Sequence, residues 1–575
     1  MNAPLRRAGV VVMVLFGLLF ANLNWVQAYK ADEYRTSPYN ARVQVDQYNR
    51  PRGVIEVSGK ALAENQATDG ELKYLRTYPF KSQFAHVIGY KPVNLGSTGI
   101  EQAEDEFLAG TSDRLFADRF RDMFTGEETA GGNVVLSLSL PAQDAAIKGL
   151  ANNPVGSTRG AAVAVDPKTG AIQALVSMPS FDPNPLASHD TEEAQAAYNR
   201  LKDDKEGPLR NRALSEVLPP GSTFKVIDSA AALESGYKPE TSIPAGSSYL
   251  PPTSGTPIRN SSPGICPETQ VTLIEALTES CNTGFARLAV ELGSDKIKEK
   301  AKAFGFEDTD LKVGNLDGGG INVAASRTGD MQNPDGGEDQ AALAQSGIGQ
   351  NNVRMTPLEG AMIAATVANG GERMRPYLVQ QLLGPDRRTI GTASPKKINN
   401  PITGPVASDL QQMMVSVVER GTGRRAQIDG FTVGGKTGTA QDGDDERDHG
   451  WFIGFVLKNG EPISAVCVLL ERAGVSGGSS AAAEIGGQIM QAVIRGEATD
   501  AQSRRPAGWP LPPRRAHRQR WHGRCLARHR RGARPYRRGE EPAPGPAGGA
   551  RLRRALPRRS PHDGDNQPSG RRRRV

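Results

Sequence analysis

The sequence predicts an α+β protein, and three observations carry that prediction. Strand-length apolar runs open the long central region at residues 161–165 and 171–178. Two more close it at 450–457 and 463–470. Between them lie runs with helical spacing, at 224–233, 272–277 and 358–367. Strands first and last with helices between them suggest α+β layers. Residues 156–495 are read as one elaborated catalytic-sized core, larger than the usual domain.

At the N-terminus, Arg6 and Arg7 precede an apolar run at 9–21. Leu23, Trp25 and Val26 extend it, while Asn22, Asn24 and Gln27 interrupt it. The uninterrupted part is shorter than the roughly 20 residues that span a bilayer. Two readings stand: an uncleaved anchor with Trp25 at its outer boundary, or a signal peptide cleaved after Val26-Gln27-Ala28. Both leave Arg6 and Arg7 cytoplasmic and export the body. Residues 1–28 are thus a cytoplasmic stub and membrane segment. Residues 29–155 carry short strand-like pieces at 41–45, 53–57 and 134–140, and read as a pedestal. Its acidic cluster, Glu104-Asp105-Glu106, is expected to be a solvated helix face.

Charge divides the chain sharply. Residues 501–575 hold 22 arginines against 4 acidic residues, a net of +18, whereas the remainder carries −11. The basic balance therefore belongs to the tail, and a nucleic-acid partner for the whole protein loses its support. The stretch 496–575 has no apolar periodicity and cannot bury enough surface to fold, so it reads as a disordered basic tail. Its composition fits translation beyond a frameshift or a lost stop codon; a genuine basic tail binding an acidic partner is the other reading.

Three motifs carry chemistry: Ser222-Thr223-Phe224-Lys225, Ser280-Cys281-Asn282 and Lys436-Thr437-Gly438-Thr439. Ser222 follows Pro219-Pro220-Gly221 and opens a helical run, so Lys225, three residues on, shares its face. A buried lysine with a lowered pKa can take a serine proton, activating a weak nucleophile. Lys436 sits in a strand-like stretch where it shares a face with Gly438. Gly438 is expected to leave that face bare for an extended substrate. The sequence also contains decoys. Ser394-Pro395-Lys396-Lys397 fits the first pattern but reads as loop, and Lys168-Thr169-Gly170 fits the third but reads as a hairpin turn. Cys467 lies in an apolar strand and reads as a buried hydrophobe. Cys266 and Cys281 lie around a helical run; an exported location permits a disulfide between them, but spacing does not fix connectivity. His86, His189 and His449 are too scattered to form a site, and neither metal nor cofactor is called for.

The three motifs together are the S-x-x-K, S-x-N and K-T-G set of penicillin-recognising acyl-serine transferases. Further stretches widen the resemblance: Arg52-Gly53-Val54-Ile55, Arg76-Thr77-Tyr78-Pro79, Gly96-Ser97-Thr98-Gly99-Ile100-Glu101, Gly160 through Asp166, Gln345 through Gln350, Val353 through Pro357, and Trp451 through Phe455. With them the chain resembles the class B penicillin-binding proteins, the monofunctional peptidoglycan transpeptidases, from Met1 to about Arg495. The resemblance implies a five-stranded antiparallel sheet covered by helices, with an all-helical region, on a smaller pedestal or dimerisation domain. It implies that Ser222 attacks a stem-peptide D-Ala carbonyl and Lys225 takes its proton. Ser280 would relay a proton to the leaving amine, Asn282 would bind Lys225 and the substrate amide, and Lys436 would hold Ser280. Thr437, Gly438 and Thr439 would bind the donor carboxylate and form the oxyanion site with the Ser222 backbone. β-Lactams are the implied inhibitors, and a polytopic membrane glycosyltransferase of the shape, elongation, division and sporulation type the implied partner. It favours the uncleaved anchor. A D,D-carboxypeptidase or β-lactamase-like hydrolase, or a non-catalytic β-lactam-binding scaffold, are the alternatives; product analysis with an amine acceptor separates them.

Overall fold

A computed structural model describes residues 2–31, 34, 47–125, 130–316, 319–441, 447–474 and 477–503. The expected strand at 41–45 and the tail beyond residue 503 lie outside the described residues. Helix α1, Asn2–Asn24, runs on through a π-helical turn, Trp25–Tyr29. Together they give a helix from Ala3 to Tyr29 that contains an 18-residue stretch of mean hydropathy 2.0, none of that stretch buried in the protein, long and apolar enough to cross a membrane. The asparagines do not interrupt it as the sequence suggested. Asn24 Nδ2 donates to the Phe20 carbonyl at 2.8 Å, so the polar side chain is satisfied within its own helix.

The pedestal follows, with strands β1 (Ile55–Val57), β2 (Lys60–Ala67) and β3 (Tyr74–Thr77), helix α2 (Phe116–Thr125) and strand β4 (Asn133–Leu136). Helix α3 (Leu140–Ala151) leads into strands β5 (Gly160–Val165) and β6 (Ile172–Met178). Then come helices α4 (Lys225–Glu234), α5 (Leu273–Thr278), α6 (Asn282–Leu292) and α7 (Pro357–Ala368). Strands β7 (Val379–Leu383) and β8 (Thr389–Thr392) precede helix α8 (Gly404–Glu419). Strands β9 (Thr432–Ala440), β10 (His449–Lys458) and β11 (Glu461–Leu470) and helix α9 (Gly478–Ser503) complete the described chain.

The expected five-stranded antiparallel sheet is present, in the order β9-β10-β11-β5-β6. Both faces are covered, which is why its strands read as unbroken apolar runs. Alternation along each strand splits the core in two. Ala162, Ala164, Phe452, Val466 and Val468 pack with Ala142 and Ala146 of α3 and Ile485 and Ile489 of α9. Ala161, Val163, Ile453, Phe455 and Cys467 pack on the other side with Ile227 of α4, Ile363 of α7 and Met413 of α8.

The boundary expected at residue 155 is displaced in two ways. Helix α3 belongs with the catalytic sheet. Conversely, the pedestal sheet, in the order β8-β7-β4-β1-β2-β3, takes two strands from the later chain. The turn between β7 and β8 adds ionic ties, Arg387 to Glu56 at 2.6 Å and Arg388 to Asp118 at 3.2 Å.

The acidic cluster is also not the solvated face expected of it. Glu104 is buried, and Asp105 pairs with Arg52 at 2.8 Å and Lys91 at 3.0 Å. Beneath them Glu101, fully buried, accepts from Arg52 Nε at 2.7 Å and Arg76 Nε at 2.6 Å. Burial alone would raise the Glu101 carboxyl, but Arg76 and Arg52 hold it below its ordinary value. Pattern reading missed this because the partners come from strands and loops 25 to 49 residues away in sequence.

Candidate active site

Gly221 opens a 3-10 turn, Gly221–Phe224, that leads directly into α4. Ser222 therefore sits on this tighter turn and not within the α-helix itself. Its backbone is clamped from two sides. Gly221 N donates to the Gly349 carbonyl at 3.0 Å, and a Cβ at Gly221, where φ is +53°, would lie 2.3 Å from the Thr439 carbonyl. Only glycine fits both the left-handed conformation and that approach. Gly438 answers it from the strand: a Cβ there would stand 2.5 Å from the Pro220 carbonyl and 2.9 Å from the Thr223 methyl. The expectation that Gly438 bares a face for substrate is corrected here. That face seats the turn that carries Ser222. An extended substrate has instead the free edge of β9, which is the outer strand of the sheet and can accept an added strand.

Lys225 is fully buried at the start of α4. Its Nζ donates to Asn282 Oδ1 at 2.8 Å, the Ser280 carbonyl at 2.9 Å and Ser280 Oγ at 3.3 Å. It also lies 5.5 Å over the Phe285 ring. Burial lowers Lys225 to about 7, against the opposing influence of Cys281 and then Asp228. Lys436, equally buried, donates to Ser280 Oγ and to the Thr437 carbonyl, both at 2.9 Å. Burial, then repulsion from Lys225, holds Lys436 well below the ordinary lysine value. Ser280 thus receives both lysines. It stands between α5 and α6 with φ of +64°, a conformation costly for a non-glycine residue and typical of functional sites.

The loop ahead of α5 fixes the second motif. Asn260 Oδ1 accepts from the backbone N–H groups of Asn282 at 2.8 Å and Thr283 at 3.1 Å, capping α6 from a distant segment. Asn282 Nδ2 donates to the Arg259 carbonyl at 3.0 Å, which orients its amide toward Lys225. A cleft of about 460 Å³ opens above, lined among others by Ser222, Ser280, Asn282, Thr437 and Thr439. The Thr437 hydroxyl bonds that of Thr422 at 2.6 Å, and Thr439 Oγ1 donates to Ser479 Oγ at 3.4 Å.

The two decoys stay apart from this cluster. Ser394 is exposed in the loop after β8, and Lys168 is exposed in the β5–β6 turn. Cys266 and Cys281, between which a disulfide is possible, are buried free thiols in this structure. Each shifts the other: Cys266 lowers the Cys281 thiol, and Cys266 itself is pushed up. Sequence reasoning missed Asn260, Thr422 and Asp228. Thr422, in Gly421-Thr422-Gly423, has a glycine-flanked signal; Asn260 and Asp228 have none beyond their polarity.

A family model described as the penicillin binding protein transpeptidase domain matches residues 160–491, and one described as the penicillin binding protein A dimerisation domain matches 52–134. The peptidoglycan D,D-transpeptidase PbpA of Mycolicibacterium smegmatis is 42% identical over 502 residues, covering 86% of this chain and 99% of that protein. Its namesake in Mycobacterium tuberculosis is 41% identical over 505 residues, covering 86% and 100%. The solved ceftriaxone acyl-enzyme complex of M. tuberculosis penicillin-binding protein A superposes with a TM-score of 0.73 at 39% identity, over 78% of this chain and 100% of that one. With the transpeptidase model matching over half of the chain and these relatives covered almost end to end, the chain belongs to the penicillin-binding protein transpeptidase family.

Proposed function

We propose that this chain is a peptidoglycan D,D-transpeptidase that works through an acyl-enzyme on Ser222. The observation carrying the reading is the convergence of Lys225, Ser280, Asn282 and Lys436 on one buried polar cluster beside that serine. Neutral Lys225 takes the Ser222 proton as Oγ bonds the penultimate D-Ala carbonyl carbon. The tetrahedral oxyanion is held by the backbone N–H groups of Ser222 and Thr439. As the C–N bond breaks, Ser280, linked to both lysines, passes a proton to the departing D-Ala amine. Asn282 orients Lys225 and the substrate amide. Lys436 holds Ser280 and lends positive charge near the donor carboxylate, which Thr437 and Thr439 bind. An amine of a neighbouring stem peptide then attacks the ester and releases Ser222. A β-lactam follows the first half of this course, but its leaving group stays attached.

Helix α1 is proposed as an uncleaved single-pass anchor with Arg6 and Arg7 cytoplasmic and the catalytic body outside. Its length and hydropathy support this, and the charge pair favours that orientation. The pedestal and anchor would present the enzyme to a polytopic membrane glycosyltransferase that supplies glycan strands.

Fluorescent penicillin is expected to label the chain once, with the adduct mapping to Ser222. Ser222→Ala should lose labelling and keep its melting temperature. An adduct on any other residue would sink the assignment. Incubation with a D-Ala-D-Ala donor and an amine acceptor should yield the cross-linked product over the hydrolysed one; hydrolysis alone would make the protein a carboxypeptidase.

A further inference from the structure

Helix α2 presents an apolar face that nothing in the described protein covers. Phe116, Phe120 and Phe124, spaced four apart, are 63%, 51% and 74% exposed. Phe116 stacks on Phe120 with centroids 6.2 Å apart and Phe124 meets Phe120 edge-on at 4.9 Å, so the three form one continuous aromatic strip. The other side of the helix is fixed to the pedestal: Asp118 is buried and accepts from Arg388, and Leu115 just before the helix is buried in the core. An aromatic strip held rigidly outward is costly in water, and large exposed apolar patches mark interaction surfaces.

We propose that α2 lies on the outer leaflet of the membrane, with its three phenylalanines inserted at the headgroup boundary. This rests on the reading of α1 as a membrane anchor. Three observations favour a lipid surface over a protein. Only residues 30–46 separate the anchor from the described pedestal; fully extended, they reach about 60 Å. The strip is therefore confined near a bilayer at high effective concentration, and a weak apolar contact suffices. Second, a helix of 10 residues is about 15 Å long and offers far less than the roughly 800 Å² per partner of a stable protein interface. Third, an amphipathic helix with an aromatic face and a charged opposite face is the form that lies in the interface plane. Residues 113–122 carry three arginines and three aspartates, so insertion is driven by the rings and not by anionic lipid.

The test uses the full chain in vesicles of zwitterionic lipid, with Phe120→Trp as a probe and the parent chain subtracted to remove its own tryptophans. The added tryptophan should be quenched about threefold by lipids brominated high on the acyl chain, the depth at which interfacial aromatics reside. Quenching should persist in high salt, and Phe116→Ser with Phe124→Ser should remove most of it. All variants should acylate with penicillin at the parent rate. A probe left unquenched, quenching abolished by salt, or a strip that instead cross-links two copies would overturn the docking. Alkaline carbonate separates the two readings: release of the chain would overturn the anchor, whereas a retained chain with an unquenched probe would overturn the docking alone.

Discussion

Lys225 is a buried amine with no carboxylate hydrogen-bonded to it, and that sets the pH dependence of the first chemical step. With the group lowered to about 7, its neutral, proton-accepting form is gained as pH rises through that value. Acylation by fluorescent penicillin should therefore increase about tenfold per unit below neutrality and level off above it. A rate independent of pH between 5 and 8 would move the base elsewhere, with Lys436 the next candidate. Asp228, one turn further along α4, is a different kind of group. It is fully buried, and among the described residues neither carboxyl oxygen has a hydrogen-bond partner. Burial pushes it well above its ordinary value. An acid raised on folding is a liability that grows as pH climbs from its unfolded pKa, because the unfolded chain can release the proton and the folded one resists. Asp228→Asn keeps the shape of the protonated acid and removes the liability. It should raise the melting temperature at pH 8 and leave it nearly unchanged at pH 4. A lowered melting temperature at pH 8 would instead make Asp228 the ionised counter-charge of Lys225. The motif residues were legible in sequence because i, i+3 spacing and strand period two are local rules. Asp228 was not, since its burial depends on α5, α6 and α8 packing around α4.

At the scale of elements, the site is a junction where the Gly221 turn, the Gly349 turn and strand β9 meet backbone to backbone. The nearest atom to a Cβ at Gly221 or at Gly438 is a backbone carbonyl oxygen, of Thr439 and Pro220 respectively, so the contact cannot yield locally. Gly438→Ala should separate β9 from the nucleophile turn, cost about 1–3 kcal/mol of stability and slow acylation by more than its effect on initial penicillin affinity. Gly221→Ala adds left-handed strain and should be the more severe. Thermal melts and acylation kinetics on both variants check the order; a Gly438→Ala enzyme acylating at the parent rate would return that face to the substrate. The sheet strands themselves were legible as apolar runs, with ends correct to within two residues. The role of Gly438 was not, because strand periodicity says which residues share a face and not what lies against it.

At the scale of the whole molecule, the pedestal is not an independent stand. It borrows β7 and β8 from the chain beyond α7 and is locked through Arg387 and Arg388, so sequence order alone could not draw its boundary. Non-local pairing of this kind, like the ion cluster around Glu101, joins segments that no window along the chain contains together. Its energetic consequence can be tested at Glu101. That carboxylate is the shared partner of two buried guanidinium groups, and removing one member of a buried network leaves uncompensated charge costing about 3–5 kcal/mol. Because Glu101 is held below its ordinary value, its stabilisation is present above the unfolded carboxylate pKa and is lost as pH falls through the folded one. Glu101→Ala should therefore lower the melting temperature strongly at pH 7 and much less at low pH, where the parent has lost the same interaction. With two pedestal strands supplied by the later chain, the loss should appear as a downward shift of one cooperative transition, and bound penicillin should move that whole transition upward. Two separated transitions, with only the later one shifted by penicillin, would show that the pedestal unfolds by itself and that the shared strands do not couple it to the catalytic sheet.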